Sequence, residues 1–401
     1  MQVHGKSLTE IFGLLPFAYK MVVIIGTCFF LFAMPYSLHF FFTAGIIKQV
    51  VEPLKFPLLE QNIGVLDPAI ATDGEQVIMA HTMVGANVID NQKRIAPQVV
   101  LERSTPGCRT WVTVSSAGFE PRQEPTYYPD AVTQLDAGTW VAETPAIVYD
   151  PEDKGREWKI FAYRYYWTGN HDNTIGIAKY YNYIAMRTAS QPQGPWSPEE
   201  WLFSPNNQRP PVPYDQFVSH HLNDLNPALS DIYFYSRPSV VSLKGALFMS
   251  LSAFKNQNDQ LPDRIVLLAS ADHGKNWSYI GTPLSLADAK LVGDYNKLAG
   301  ASLIVRDGQL ILAAVFGDKT SEGEGTFLIN FADPVKGLLE RDGKTGAPVV
   351  FRHLERNSVA LSPTGGGFAA YAPICKQGLF VSEFSEVTKS FQIFKTWKQP
   401  E

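Results

Sequence analysis

Cysteine is scarce in this chain: 401 residues carry three, Cys28, Cys108 and Cys375. That number excludes a disulfide scaffold, and no pair falls into a CxxC, CxxCH or zinc-type spacing. An excess of positive charge is also missing, with 34 Lys+Arg against 39 Asp+Glu and a net charge of −5. No basic stripe is available to neutralise a phosphate backbone, so nucleic acid is excluded as a partner. Sustained helical periodicity is absent beyond residue 55, which leaves an all-β domain as the expectation. With 45% hydrophobic and 18% charged residues, the chain has the composition of a folded protein.

One long uncharged run is present, residues 21–47, bracketed by Lys20 and Lys48. About twenty apolar residues cross a bilayer core, so this run predicts a transmembrane helix, kinked at Pro35 and ending in the interfacial cluster Phe40, Phe41, Phe42. A cleaved signal peptide is the alternative, but the run exceeds a usual signal core and Thr43-Ala44-Gly45 is a poor cleavage site. His39, the one ionisable group inside the run, reads as a neutral imidazole at the interface. Residues 1–20, with Ser7 to Glu10 as a helix start, read as an amphipathic interfacial segment. Lys6 and Lys20 balance Lys48 and Lys55, so charge does not set the orientation. The type of domain does: residues 48–401 are expected on the periplasmic or extracellular side of a single-pass anchor. Cys108 and Cys375 read as two unrelated buried thiols, with a ring-closing disulfide as the alternative for an exported domain.

Past residue 55, short apolar, aromatic and β-branched runs alternate with Gly, Pro, Asn and Asp, the pattern of many short strands. One phrase recurs: a small residue or Pro, an apolar stretch, a Gly-containing turn, and a second apolar stretch. It occurs at Asp67-Pro68-Ala69-Ile70 before Asp73-Gly74, and at Thr144-Pro145-Ala146-Ile147-Val148 before a turn from Asp150 to Gly155. It returns at Arg237-Pro238-Ser239-Val240-Val241 before Lys244-Gly245, at Gly300-Ala301-Ser302-Leu303-Ile304 before Asp307-Gly308, and at Asn357-Ser358-Val359-Ala360-Leu361 before Gly365-Gly366-Gly367. Five copies predict a five-bladed β-propeller with inner strands beginning near 67, 144, 237, 300 and 358. A β-sandwich is the minority reading.

Ser270-Ala271-Asp272-His273-Gly274-Lys275-Asn276-Trp277 resembles the Asp box of sialidase-type propellers, with Asn276 at the usual Thr position. Its role there is structural: Asp and Gly fix a hairpin and Trp packs between sheets. Residues 185–196 read as an outer strand leading to a Gly-Pro-Trp turn. Together these features resemble the propellers of glycoside hydrolase families 43 and 32 over residues 55–401. In those families acidic residues on successive inner strands converge on the central channel. The resemblance implies that Asp67 is the first-blade base or nucleophile and that Glu143 is the second-blade acid. Where the third blade should present a Glu, this chain has Ser236-Arg237-Pro238.

Asp67 and Glu143 are therefore the candidate catalytic pair, with Arg237 as a candidate substrate-binding residue for a sugar hydroxyl or carboxylate. His220-His221 with Asp224, and His171-Asp172, lack a third ligand at a defined spacing, so no metal and no cofactor is expected. Tyr163, Tyr165, Tyr166, Trp167, Tyr180, Tyr181 and Tyr183 could stack on sugars, meet another protein or fill strand cores. Two functions follow. The first is an accessory subunit, anchored in lipid, that docks onto an integral membrane protein complex; the long anchor and the missing third acid favour it. The alternative is a membrane-tethered glycoside hydrolase or carbohydrate-binding propeller using Asp67 and Glu143.

Overall fold

The computed structural model describes residues 2–3, 6–7, 51–53, 62–89, 92–104, 108, 110–123, 139–167, 182–204, 218–256, 261–293, 295–317, 325–354, 369–372, 375, 378–385 and 390–396. The chain divides into two units, residues 1–46 and 47–401. In the first, β1 (Gln2–Val3) pairs antiparallel with β2 (Lys6–Ser7), so Ser7 is a strand residue rather than a helix cap. The transmembrane expectation at 21–47, and His39 within it, lie outside the described residues. Among those described, no helix is long and apolar enough to cross a membrane.

The second unit is an all-β propeller. Its strands are β3 (Val51–Pro53), β4 (Asn62–Thr72), β5 (Val77–Ile89), β6 (Gln92–Ser104), β7 (Trp111–Ser115), β8 (Arg122–Gln123), β9 (Thr139–Tyr149), β10 (Trp158–Trp167), β11 (Asn182–Ala189), β12 (Glu200–Ser204) and β13 (Val218–His221). They continue as β14 (Phe234–Leu243), β15 (Ala246–Phe254), β16 (Arg264–Ser270), β17 (Ser278–Ser285), β18 (Lys297–Arg306), β19 (Gln309–Gly317), β20 (Thr326–Asp333), β21 (Leu338–Leu339), β22 (Val350–Leu354), β23 (Ala369–Ala372), β24 (Gly378–Ser385) and β25 (Ser390–Thr396).

These strands form four sheets, not the five separate blades that the repeat predicts: a first, eight-stranded sheet uniting β23, β24 and β25 with β3 to β7, a second of β8 to β13, a third of β14 to β17 and a fourth of β18 to β22. The difference arises where the two ends of the second unit meet. β25 takes β3 as an antiparallel neighbour, Phe394 opposite Pro53, and also bridges to β4 through Phe391 and Gly64. The fifth copy of the repeated phrase, 357–361, lies outside the described residues.

Each of the other four copies forms a hairpin, as its Gly turn requires. Lys244-Gly245 and Asp307-Gly308 have positive φ at both residues, the geometry that matches strand twist in a two-residue turn. The inner strands begin three to five residues before the predicted positions, because the phrase marks the middle of each strand rather than its start. Sheet faces are apolar on both sides: β15 is buried along nearly its whole length, since each sheet is covered by a neighbour. One core lies between the second and third sheets, with Phe161, Tyr235, Met249 and Trp277. Others fill the adjacent gaps, around Trp140, Trp158 and Ile160 on one side and Leu267, Leu312 and Phe316 on the other.

The Asp box folds as its sequence requires. Ser270 Oγ accepts Gly274 N–H at 2.8 Å, Asp272 accepts Asn276 N–H at 2.8 Å, and Trp277 Nε1 donates to Gly274 O at 3.0 Å. Asn276 serves at the Thr position by donating its side-chain amide to Asp272 at 2.6 Å. Cys108 and Cys375 are joined in a disulfide with Cα atoms 5.4 Å apart, which corrects the expectation of two separate thiols. It ties the β6–β7 connection to the β23–β24 connection, near the two ends of the eight-stranded sheet.

Candidate functional site

The repeated phrase positions the site through a shared irregularity. In β4 the register against β5 slips between Leu66 and Ala69; in β9 it slips against β10 between Glu143 and Ala146; in β14 it slips between Ser236 and Ser239; in β18 between Leu298 and Gly300. Each slip is a β-bulge, which re-aims one side chain. The residue at each bulge is left-handed or otherwise at positive φ: Asp67 at 53°, Thr144 at 49°, Arg237 at 56° and Gly300 at 152°. Glycine enters such a conformation freely, whereas a β-branched threonine does so at a steric cost. Three of the four stand before proline, which excludes the right-handed helical region for them as well. Strain held at equivalent places on three strands, at Asp67, Thr144 and Arg237, is a pattern associated with working sites.

Three of the bulge residues, Asp67, Thr144 and Arg237, stand at one end of the lining of a cavity of about 240 Å³ walled by β4, β9, β14, β18 and β23. Beyond them the walls are mainly apolar, with residues such as Ile70, Ile147, Val240 and Leu303. Glu143 precedes this lining by one residue.

The sequence-predicted residues Asp67, Glu143 and Arg237 come together here. Burial raises the Asp67 carboxyl above its usual range, against the guanidinium of Arg237, a hydrogen bond from Thr82 and the imidazole of His81. Glu143 is pushed up to about 7, first by burial and then by the negative charge of Asp67, with Arg237 and the Tyr165 hydroxyl pulling the other way. Tyr165 donates its hydroxyl to Glu143 Oε2 at 3.2 Å. Burial and the charge of Glu143 raise the Tyr163 and Tyr165 phenols, so both stay protonated donors. Their rings lie 5.2 Å apart at 32°. Arg237 is held from the fourth sheet, its Nη1 donating to the carbonyl of Ala299.

Sequence reasoning missed Thr82, His81 and Thr144. Thr82 and His81 lie on β5, outside the repeated phrase, and only the bulge brings them near Asp67. The Thr144 hydroxyl is buried without a partner among the described residues, at the cavity lining and next to Glu143. His81 is 1% exposed, with Nε2 3.8 Å from Glu102, which also accepts the Thr113 hydroxyl at 3.0 Å.

Other sequence candidates fall elsewhere. Tyr183 stacks on Trp201 at 4.2 Å inside a core, so it fills the gap between sheets rather than facing a ligand. His220 and His221 sit at the end of β13 with Asp224 in the helix that follows. Among the described residues, no three His, Cys, Asp or Glu side chains gather to hold a metal. His171, Asp172, Tyr180 and Tyr181 lie outside the described residues, as do the side chains of Tyr166 and Trp167.

No family model matches the chain, and no curated protein matches it. Solved structures with a similar arrangement include a glycosyl hydrolase from Bacteroides ovatus, at 12% identity over 87% of this chain and 93% of that one, with a TM-score of 0.48. An exo-1,5-α-L-arabinanase from a bovine ruminal metagenomic library is 15% identical over 85% and 95%, also at 0.48. A family 117 glycoside hydrolase from Zobellia galactanivorans is 12% identical over 87% and 90%, at 0.47.

Proposed function

We propose that this propeller acts on a carbohydrate at one end of its channel, as a glycoside hydrolase whose working carboxylates are Asp67 and Glu143. The observation that carries this reading is the convergence of Asp67, Glu143 and Arg237, from bulges on three inner strands, at one end of a cavity. There the Tyr165 hydroxyl donates to Glu143 at 3.2 Å, and burial and the charge of Asp67 raise the proton affinity of Glu143, to about 7. Two carboxyl groups whose environments push them apart are the requirement for acid and base roles in one site. Glu143 holds the proton to be given to the leaving oxygen. Asp67, facing Arg237 and accepting from Thr82, carries the negative charge that activates water or attacks carbon. Tyr163, Tyr165 and the unpaired Thr144 hydroxyl offer hydrogen bonds to sugar hydroxyls. Arg237 takes the place of the third-strand acid and orients a substrate hydroxyl or carboxylate.

The inner strands touch in the order β4, β9, β14, β18, β23 and back to β4, so they enclose one channel. The Cys108–Cys375 disulfide favours an oxidising, extracytoplasmic compartment, with residues 21–47 as the membrane tether. The docking-subunit reading rests on that tether; the buried, mutually perturbed carboxyl pair favours chemistry instead.

The test is a glycan-cleavage screen on the detergent-solubilised full chain. Asp67→Asn and Glu143→Gln should each lower the rate by about a hundredfold or more. Recovery of a stable membrane complex that keeps its role with both substitutions present, and with no glycan cleaved, would overturn the proposal in favour of the docking subunit.

A further inference from the structure

Thr82 occupies a place that neither strand pairing nor the acid pair itself accounts for. It lies on β5 opposite Leu66, so regular alternation would turn its side chain to the same face as Leu66 and away from that of Asp67. The bulge changes this. Asp67 and Pro68 together oppose the single residue His81, and the left-handed turn at Asp67 returns its carboxylate to the face that carries Thr82. The Thr82 hydroxyl then hydrogen-bonds Asp67.

The same oxygen reaches the neighbouring sheet. Thr144 N–H donates to Thr82 Oγ1 at 2.8 Å. That amide stands in the register slip of β9, where the pairing against β10 passes from Glu143 to Ala146, so the ladder does not satisfy it. A buried amide left without an acceptor is strongly disfavoured. Thr82 is 1% exposed and supplies that acceptor. A hydroxyl has one proton to give. Since the amide donates to Thr82, the proton goes to Asp67, and the carboxylate is the acceptor.

Ser239 provides an internal comparison. Its Oγ accepts the Leu303 N–H at 2.9 Å, linking the third and fourth sheets as Thr82 links the first and second. A hydroxyl bridging adjacent sheets is therefore a repeated device of this ring, and at Thr82 it is also joined to one of the two acids.

We propose that Thr82 is a positioning residue that couples the two carboxylates: one hydroxyl fixes Asp67 and, through the Thr144 amide, the Glu143-Thr144 bulge on the adjacent strand. This deepens the carbohydrate-site reading and rests on it for the roles of the acids, whereas the coupling itself is a property of the fold. Asp67 meets Arg237 from β14, His81 from β5, Glu143 from β9 and Tyr165 from β10.

The test uses the full chain with ¹³C-labelled aspartate, the Asp67 resonance being identified by its loss in Asp67→Asn. In Thr82→Val the Asp67 carboxyl should bind its proton about tenfold more tightly, because a hydrogen bond to the charged form is gone. Exchange of the Thr144 amide should accelerate at least tenfold in the same variant. Thr82→Ser should restore both, since it keeps the hydroxyl, and Thr82→Ala supplies a second hydroxyl-free variant if valine disturbs folding. Unchanged titration and exchange in the hydroxyl-free variants, or failure of serine to restore them, would overturn the proposal. Where glycan turnover is present, the acid limb of the pH–rate profile should move up in Thr82→Val and return in Thr82→Ser. If turnover is absent while titration and exchange shift as stated, the coupling stands and the hydrolase reading falls.

Discussion

The Cys108–Cys375 bond should account for a large part of the propeller's resistance to unfolding. The two residues are separated by 267 positions, so the bond closes most of the second unit into one loop. Loop-closure entropy for that length gives roughly 5.6 kcal/mol at 25 °C. For a unit of about 350 residues, with an unfolding entropy of roughly 2 cal/mol/K per residue, this corresponds to a fall in Tm of roughly 8 °C on reduction. Both sulfurs are buried beside Met79 and Trp111, so the matched perturbation is Cys108→Ala with Cys375→Ala, which adds no polar group to the core. Calorimetry should place the reduced parent and the double variant together, and the oxidised parent above both. Thiol counting in denaturant without reductant should find one free thiol, Cys28. Three free thiols in protein from an oxidising compartment, or equal melting of oxidised and reduced chains, would refute the reasoning.

Glu143→Gln should stabilise the fold in a pH-dependent way. The folded-state pKa of Glu143 is raised from 4.5 to about 7, so its favourable contribution is complete below the unfolded value and is lost as pH rises from 4.5 to 7. Above pH 7 the glutamine variant should gain about 3 kcal/mol over the parent, with no gain near pH 4; denaturant titration at pH 4 and 8 reads this directly. Lys159→Met should do the opposite at all neutral pH values. Lys159 is 0% exposed, 2.6 Å from Asp153 and 3.4 Å from Asp150, and removing it leaves Asp150 with the His273 ring nitrogen at 3.0 Å and Asp153 with Arg156 at 3.9 Å. A loss of about 3 kcal/mol, the low end for breaking a buried pair, is expected in the same titration.

The hairpins of this fold were legible because each carries its own turn chemistry: Asp73-Gly74, Lys244-Gly245 and Asp307-Gly308 all close the turns expected of them. The Asp box was legible for the same reason, its contacts falling within eight residues. Sheet count was not, because it depends on pairing between strands at opposite ends of the second unit, Phe391 with Gly64 and Phe394 with Pro53, and no local signal encodes that. Asp67, Glu143 and Arg237 were found as repeat positions. That the shared feature is a bulge at positive φ became visible only in the register, and with it the role of Thr82, whose place in β5 looks ordinary in sequence. The disulfide was legible only as an alternative to two separate thiols, because two cysteines 267 residues apart meet only once the ring has closed.

The central claim is that Glu143 supplies a proton and Asp67 a negative charge to one reaction at one end of the channel. Its most direct test is the pH dependence of kcat/KM for whichever glycan the full chain cleaves, measured for the parent, Asp67→Asn and Glu143→Gln. The parent should lose activity as pH rises through about 7, where Glu143 gives up its proton, and each variant should fall by about a hundredfold with that alkaline limb abolished in Glu143→Gln. Glycan cleavage that proceeds at the parental rate in both variants, or an alkaline limb that persists in Glu143→Gln, would contradict it.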